Sequence, residues 1–473
     1  MMMPKIVILS SDLVIFAMLC VLGIYIWHLN RSKELRSRWI AVAKRRSALV
    51  SITVLVLFFS VAVLDSVHYR SAISSTENGI VYDVKTRSLL DQVLPNNSQN
   101  QEKSYSSPFV IQSFEKTTLI KDGKIIRDFE PLMNAGKHLE DRAHHTVDVI
   151  QKISIGVGLG LILSVGVSVI VTYCFSRTHH RSIVGEFHRF FLEREEIPYE
   201  IVLLVLSIFF LIAGIVFSSW PFYHVLGTDQ TGNDILYQAI KSIRTAVVIG
   251  SLSTLAMLPF AIIFGISAGY YKGWVDDVIQ YLYTTLSSIP GVLLIAASVL
   301  MTQVFIDSHP HLYETDLERA DIRLLMLSLI IGITGWATLA RLLRAETLKI
   351  SQLDYVQAAH AFGVSHFKIM RRHIFPNVVH IVLIVAVLDF SNIVLYEAVL
   401  SYVGVGVDPS TYSFGSMINA GRLELSKNPV VWWNLLTAFV FMLTFVLTAN
   451  LFASAVRDAF DPKHSLNTSR KGK

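Results

Sequence analysis

Between apolar blocks at Leu324–Leu343 and Val378–Val403 the chain reads Ser351-Gln-Leu-Asp-Tyr-Val-Gln-Ala-Ala-His-Ala-Phe-Gly363, then Val-Ser365-His-Phe-Lys-Ile-Met-Arg-Arg-His-Ile-Phe-Pro376. Ser351 and Asp354 fit a pair that starts a helix. Leu353, Val356, Ala359 and Phe362 then fall on or near one helical face. Gly363 suits the left-handed residue that ends a helix. Ser365 is placed to cap a second short helix, which Pro376 limits. The expectation is helix, tight turn, helix, with Ala358 and Ala359 leaving one face flat enough for another protein to approach closely.

The blocks on either side are long enough to cross a bilayer, which takes about 20 residues per helix. Nine such spans are expected: Ile6–Trp27, Ala48–Leu64, Ile153–Cys174, Ile201–Ser219, Ala246–Gly269, Val278–Phe305, Leu324–Leu343, Val378–Val403 and Trp433–Val456. Composition agrees, since 52% of the 473 residues are hydrophobic and only 16% charged, against roughly a quarter charged in soluble domains. An ordinary soluble protein is excluded. Cys20 and Cys174 both lie inside apolar blocks, which leaves no disulfide framework and no Cys-based metal site. The first block contains Asp12, which costs up to about 3 kcal/mol if central. No small-x-small cleavage site follows it, and it is read as an uncleaved helix.

Charge orients the spans. The 29–46 loop carries Arg31, Lys33, Arg36, Arg38, Lys44, Arg45 and Arg46 against Glu34 alone, which makes it cytoplasmic by the positive-inside rule. Alternation puts 66–152, 220–245, 306–323 and 404–432 outside. It puts 175–200, the turn near Lys272, 344–377 and the tail from Arg457 inside. The acidic 306–323 loop and the basic 341–377 stretch agree with this. The N-terminus is then periplasmic and the C-terminus cytoplasmic. The net charge of +5 reflects those cytoplasmic loops, and no nucleic-acid partner is expected.

The chain divides near residue 180. Two transmembrane helices with a basic loop occupy 1–65. The polar segment 66–152 is read as a small α+β extracytoplasmic domain. Within it Asp122-Gly123 marks a hairpin turn, Pro95–Gln101 a loop, and Met133 to Gln151 a helix leading into the third span. A third span and a cytoplasmic lead-in fill 153–200. Six spans with short connections follow over 201–463. The fold class is an all-α polytopic membrane protein: a six-helix core, three extra N-terminal helices and the small domain.

Gln357-Ala358-Ala359 followed by Gly363 resembles the cytoplasmic "EAA" loop of ABC importer permeases. The rest of 185–463 is similar to one branch of that family, the dipeptide/oligopeptide permeases of the DppC/OppC type. The matching residues run in order: Gly227-Thr228-Asp229-Gln230-Thr231-Gly232-Asn233-Asp234 with Arg244; Gly269-Tyr-Tyr-Lys-Gly-Trp-Val-Asp276; Ser288-Ile289-Pro290; Arg344-Ala345-Glu346; Asp354-Tyr355; Arg372-His373 and Pro376-Asn377; Glu397-Ala398, Leu400-Ser401, Gly404 and Gly406; Arg457-Asp-Ala-Phe-Asp-Pro462. Three positions depart from the pattern. Gln357 stands for the loop's usual Glu, Ser242 for a Gly, and Phe414 for a common Trp. The resemblance implies ATP-driven import of small peptides by alternating access. It implies a second homologous permease subunit, two ABC ATPases that carry ATP and Mg, and a periplasmic solute-binding protein. Asp354, Gln357, Ala358, Ala359, Gly363, Arg372, His373 and Pro376 become the ATPase-coupling loop. Gly227, Thr228, Asp229, Gly232, Asp234 and Arg244 become the extracytoplasmic signature. No cofactor is expected on this chain, and no Gly-x₄-Gly-Lys-Ser/Thr phosphate loop is present. It is not expected to be an enzyme.

Each feature has a plainer reading. The 351–376 loop could be a solvated connection, and Gly227–Asp234 an ordinary turn. Asp229 and Asp234 lack the spacing and terminal Glu of a calcium loop. His179, His180 and His188 sit among Arg177, Arg181, Glu186 and Arg189, the pattern of a solvated helix face. Asp389 lies midway along a span beside Ser391 and Asn392, where carboxylates line a water-filled path or pair with another helix. Both readings stay open, as do other solutes for the same machinery: nickel, a peptide antibiotic or an oligosaccharide. The span–domain–span layout of 48–174 also suits a membrane sensor, although no signalling region follows it. A secondary transporter would not need a docking loop. Residues 1–175 are expected to act as an accessory module beside a pathway in 201–456.

Overall fold

A computed structural model describes residues 5–76, 79–83, 85–95, 100–121, 124–139, 141–179, 198–313 and 315–460. Nine helices among the described residues are long and apolar enough to cross a membrane, one for each predicted span. The chain forms two compact units, each discontinuous in sequence: Met1–Ile8, Ile40–Arg244 and Tyr412–Thr448, and Leu9–Trp39, Thr245–Thr411 and Ala449–Lys473.

The first unit holds the small sheets. Strand β1 (Lys5–Val7) pairs antiparallel with β2 (His68–Arg70), which pairs with β5 (Arg87–Ser88). Strands β3 (Ala72–Thr76) and β4 (Gly79–Tyr82) form one hairpin, and β6 (Gln112–Lys121) and β7 (Lys124–Pro131) another. Lys121 faces Lys124 across the last pair, which leaves the two-residue connection expected at Asp122-Gly123, residues outside the described set. The β1–β2 pairing puts residues 5–7 at the same end as 68–70, as alternation requires.

Helix His145–His179 packs along helix Tyr199–Ser219 through a seam of glycines. A Cβ on Gly156 would lie 2.6 Å from the Ile215 backbone, and one on Gly160 2.6 Å from the Phe210 carbonyl oxygen. Such a seam lets two membrane helices gain dispersion contact where burial from lipid supplies no drive. The helix predicted from Met133 starts instead at His145, after a short 3₁₀ turn at Arg142–His144. The reason is tertiary: the N–H groups of Met133, Asn134 and Ala135 are taken by the Glu102 carboxylate, and Gly136 is left-handed with φ +75°.

In the second unit helix Ser10–Arg31 begins four residues later than the predicted span. Asp12 sits in its first turn and accepts the Leu9 N–H at 3.2 Å. The carboxylate therefore terminates the span and avoids its centre. Ser11 donates its N–H and hydroxyl to Asp321, which joins this helix to helix Asp316–Gly335. The span expected at Val278–Phe305 is two helices, Gly273–Ser288 and Gly291–Ser308. Ile289 is extended with ψ 131°, because a residue before proline is pushed out of the helical region and Pro290 has no N–H to continue the ladder. Pro259, in contrast, stays inside helix Ile235–Tyr271.

That helix meets Ala337–Ile350 at Gly265 and Gly269, where a Cβ would lie 2.7 Å from the Ala340 oxygen and 2.6 Å from Thr347. Around this crossing Ile266, Leu339, Leu343, Ile350, Val356, Ile369, Ile374 and Val378 form one buried cluster. Three further contacts tie segments of this unit together. Trp39 packs on Phe452 and Phe460, Arg323 meets Asp408 at 3.1 Å, and Tyr270 meets His366 at 2.8 Å.

Candidate functional site

The loop at 351–376 folds as helix, turn, helix. Helix Asp354–Ala361 is followed by Phe362 and by Gly363 at φ +74°. The Val364 N–H reaches the Ala359 carbonyl at 3.1 Å and the Gly363 N–H reaches His360 at 3.0 Å. This pair of bonds is the Schellman closure, which satisfies the last carbonyls of a helix and requires a left-handed residue. Two expectations need correction. Ser351 does not cap the helix; its hydroxyl donates to the Leu348 carbonyl, and extended Leu353 stands at the cap. Pro376 does not end the second helix. Residues His366–Ile369 pass through a π turn at Met370–Ile374 directly into Phe375–Tyr402, with Pro376 in the first turn. A missing N–H costs little in a first turn, where no partner exists.

Only Val356 of the first helix is buried, inside the cluster formed by the spans. Gln357 and Ala358 face outward, and Ala359 is half-buried. Phe362 is 87% exposed and Phe367 70%. The loop thus presents two aromatic rings outward, while Val356, Ile369 and Ile374 key it to the membrane helices. Asn377 links its ends, donating to Tyr355 at 3.1 Å and to the His373 carbonyl at 2.6 Å. Arg372 is solvent-facing. Nearby, Arg344 makes a bidentate pair with Asp276, at 2.5 and 2.6 Å. The fork geometry fixes helix Gly273–Ser288 against Ala337–Ile350.

The Gly227–Asp234 signature is built differently. Gly227 and Gly232 take φ +75° and +79°. Asp229 accepts the N–H groups of Thr231 and Asn233 and, through its other oxygen, Gln238 at 2.6 Å. Asp234 caps helix Ile235–Tyr271 through the Tyr237 N–H and also accepts Trp220 at 3.1 Å and His224 at 2.7 Å. Thr228 is wholly buried and bonds to Ser104 and Ser106 through its hydroxyl and to Ser106 again through its backbone. Arg244 lies farther along the helix, also buried. The carboxylates are all committed to order within the loop, and among the described residues no cluster of His, Cys, Asp and Glu could hold a metal.

Sequence reading missed the two partners that complete this site. His224 is fully buried between Asp234 and Glu102, the latter 3.4 Å from Nε2. Lys241 bridges Asp65 at 2.5 Å and Asp91 at 2.9 Å. Nothing in the local sequence marks Glu102, which lies 122 positions from His224. Burial alone would lower the imidazole, but its hydrogen bonds to Asp234 and Glu102 and their charges outweigh burial and hold it up at about 9. Burial alone would raise Glu102, but His224 and three backbone N–H groups hold it down at about 2. The stability that the His224 charge contributes is therefore complete below its ordinary pKa and lost as pH rises through about 9. That of Glu102 is complete above its ordinary value and lost only as pH falls through about 2. Amide exchange at 133–135 and 224–234 is expected to stay slow through neutral pH and accelerate beyond about 9. His224→Gln removes that alkaline step; an unchanged pH profile in the variant would show that His224 does not carry it.

Asp389 is half-buried in helix Phe375–Tyr402, with Asn392 of its own helix as a hydrogen-bond partner. The bond to a neighbouring helix in this stretch comes from Ser391, which donates to Asn450 at 2.8 Å.

Residues 261–465 match the family described as the binding-protein-dependent transport system inner membrane component. The 351–376 loop lies inside that match, and the Gly227–Asp234 segment precedes it. The dipeptide transport system permease protein DppC of Lactococcus lactis is 28% identical over 242 residues, 51% of this chain and 64% of that protein. The oligopeptide transport system permease protein OppC of Haemophilus influenzae is 28% identical over 241 residues, covering 51% and 71%. The glutathione transport system permease protein GsiD of Pectobacterium atrosepticum is 29% identical over 240 residues, covering 51% and 73%. The chain thus spans under two thirds of the first relative's length. The apolar helices make this a multi-pass membrane chain, and its C-terminal half is similar to inner-membrane permease components of peptide-type transport systems.

Proposed function

We propose that this chain is a transmembrane permease subunit that moves small peptides into the cytoplasm by alternating access. The observation that carries this reading is the loop 351–376, which exposes Phe362 and Phe367 and is keyed by Val356, Ile369 and Ile374 into the cluster where the membrane helices cross. A force applied to the loop from outside passes directly into helices Ile235–Tyr271, Ala337–Ile350 and Phe375–Tyr402. The partners in this reading are two ATPases that hold ATP and Mg, a second homologous permease and a periplasmic solute-binding protein. The loop sits on an ATPase, with Gln357 serving in docking. The N-terminus lies in the periplasm and the C-terminus in the cytoplasm. Residues 201–463 act as the permease core, with 66–152 outside. The relatives named for dipeptide, oligopeptide and glutathione transport support a peptide substrate. Competition of labelled dipeptide uptake by tripeptides, sugars and nickel in the assembled transporter tests the substrate. Competition by sugars or nickel alone overturns it.

Asp389 faces the translocation path in this reading, where a peptide's amino group is its natural counter-charge. Cysteine placed at 389 is expected to react with an aqueous thiol reagent in at least one nucleotide state. Asp389→Leu is expected to reduce uptake about tenfold, equivalent to about 1.4 kcal/mol of lost stabilisation. Labelling blocked in every state, together with full uptake by the leucine variant, makes the residue incidental.

A further inference from the structure

The helix Lys33–Ala43 joins the first two spans. One residue, Ser32, separates it from helix Ser10–Arg31, and two separate it from helix Arg46–Asp65. Both neighbours cross the membrane by length and composition. With 3.8 Å between successive Cα atoms, a helix so tethered lies at headgroup depth. Trp39 holds it down: its indole N–H donates to the Tyr25 hydroxyl at 2.8 Å. Its ring stacks on Phe452 with centroids 6.3 Å apart and meets Phe460 edge-on at 5.8 Å. The outward side is basic. Lys33 and Arg36, three positions apart, share a face and are exposed, as are Arg31 and Arg38. Arg31 lies 3.8 Å over the ring of Trp27, itself 56% exposed at the end of its span. An Arg–Trp pair there has its apolar body in lipid and its charge among headgroups.

We infer that residues Arg31, Lys33, Arg36 and Arg38 form a binding site for anionic phospholipid headgroups. Charge complementarity selects the occupant, because Glu34 is the one acid among the Lys and Arg residues of the 31–46 loop. Orienting the spans needs only net charge. A helix clamped by Trp39, with Lys33 and Arg36 fixed on one face and Arg38 held over the Phe460 ring, adds a fixed surface that a mobile loop would lack. A protein partner is disfavoured, because the cores of protein interfaces are depleted in lysine and built on apolar anchors, and among the described side chains of Lys33–Trp39 the exposed ones are Lys33, Arg36, Ser37 and Arg38.

The test uses the full-length chain assembled with its partner subunits in nanodiscs of phosphatidylcholine containing a minority of phosphatidylglycerol. Spin-labelled phosphatidylglycerol and phosphatidylcholine report the lipid fraction immobilised by the protein. One basic residue near an anionic surface enriches a lipid up to about fivefold. Wild type is therefore expected to prefer phosphatidylglycerol at least about threefold. Lys33→Gln/Arg36→Gln/Arg38→Gln should bring the preference close to parity, whereas Lys33→Arg/Arg36→Lys/Arg38→Lys should keep it. Inorganic phosphate at matched ionic strength should not compete. Undiminished preference in the glutamine variant, or loss of ATPase retention with lipid preference intact, overturns the inference. If the glutamine variant is not recovered folded, the charge-conserving variant decides by salt. A preference abolished at high salt supports the site, and a salt-insensitive one overturns it.

Discussion

Gly363→Val is expected to remove substrate-stimulated ATP hydrolysis and peptide uptake while leaving the chain inserted in the membrane. Space is not the obstacle, since a Cβ at this position meets nothing within 4 Å. The cost lies in the backbone, because φ +74° is a region that β-branched residues avoid at a cost of roughly 1–2 kcal/mol or more. A valine that relaxes to negative φ breaks the bonds from Val364 to Ala359 and from Gly363 to His360. Helix Asp354–Ala361 then loses its closure, and Val356 loses its fixed seat among Ile369, Ile374 and Leu343. A displaced loop cannot pass motion to the spans, and uptake should fall by about two orders of magnitude for a coupling defect of about 3 kcal/mol. Ala359→Asp should act on the same contact by another route, placing a charge where the helix packs on the cluster. Gly363→Ala should be milder, because alanine tolerates the left-handed region at about 1 kcal/mol. Uptake and stimulated ATP hydrolysis in proteoliposomes are the measurements. Normal transport by both Gly363→Val and Ala359→Asp would sink the coupling role.

Removal of residues 1–179 is expected to prevent stable assembly of what remains. From the sequence one expects the opposite, an accessory module whose loss spares the core. The contacts argue otherwise. Segment 101–106 is threaded onto the signature: Glu102 donates its N–H to the Gly232 carbonyl at 2.9 Å, and Thr228 is enclosed by Ser104 and Ser106. Glu102 also supplies one of the two carboxylates around a fully buried His224. Taking one partner from a buried charge costs about 3–5 kcal/mol, a large share of the stability of a typical domain. Deletion also removes the helix that packs against Phe210, Gly214 and Ile215 of helix Tyr199–Ser219. Gly232→Val probes the same junction with the chain intact. Its Cβ would lie 1.9 Å from the Glu102 carbonyl oxygen, at a φ of +79°, so segment 101–106 must move. Detergent-extracted yield and thermal unfolding, compared with wild type, are the readouts. A truncated chain that assembles and retains ATP hydrolysis would restore the accessory-module reading.

The sequence by itself determined the spans, the order of the loops and the helix–glycine–helix motif at 351–376. These depend on properties that act locally. Hydropathy summed over about 20 residues decides insertion, charge beside a span decides sidedness, and a glycine can be assigned to a left-handed turn by its neighbours. The β6–β7 pairing was legible for the same reason, because Asp122-Gly123 sits between runs that must pair with each other. Tertiary structure decided the rest. Hydropathy runs straight through Ile289-Pro290, but the chain breaks there because a proline constrains its predecessor's backbone and the neighbouring helices accommodate two pieces. Pro376, equally a breaker by composition, falls in a first turn where no bond is lost. The start of helix His145–His179 was misplaced because the competing acceptor for residues 133–135 is Glu102, about thirty positions away. Glu102, His224, Lys241 and Asp91 carry no periodic or motif signal. Each is an ordinary polar residue until folding removes water and leaves it facing charged partners, and the choice of partners is a property of packing across distant segments.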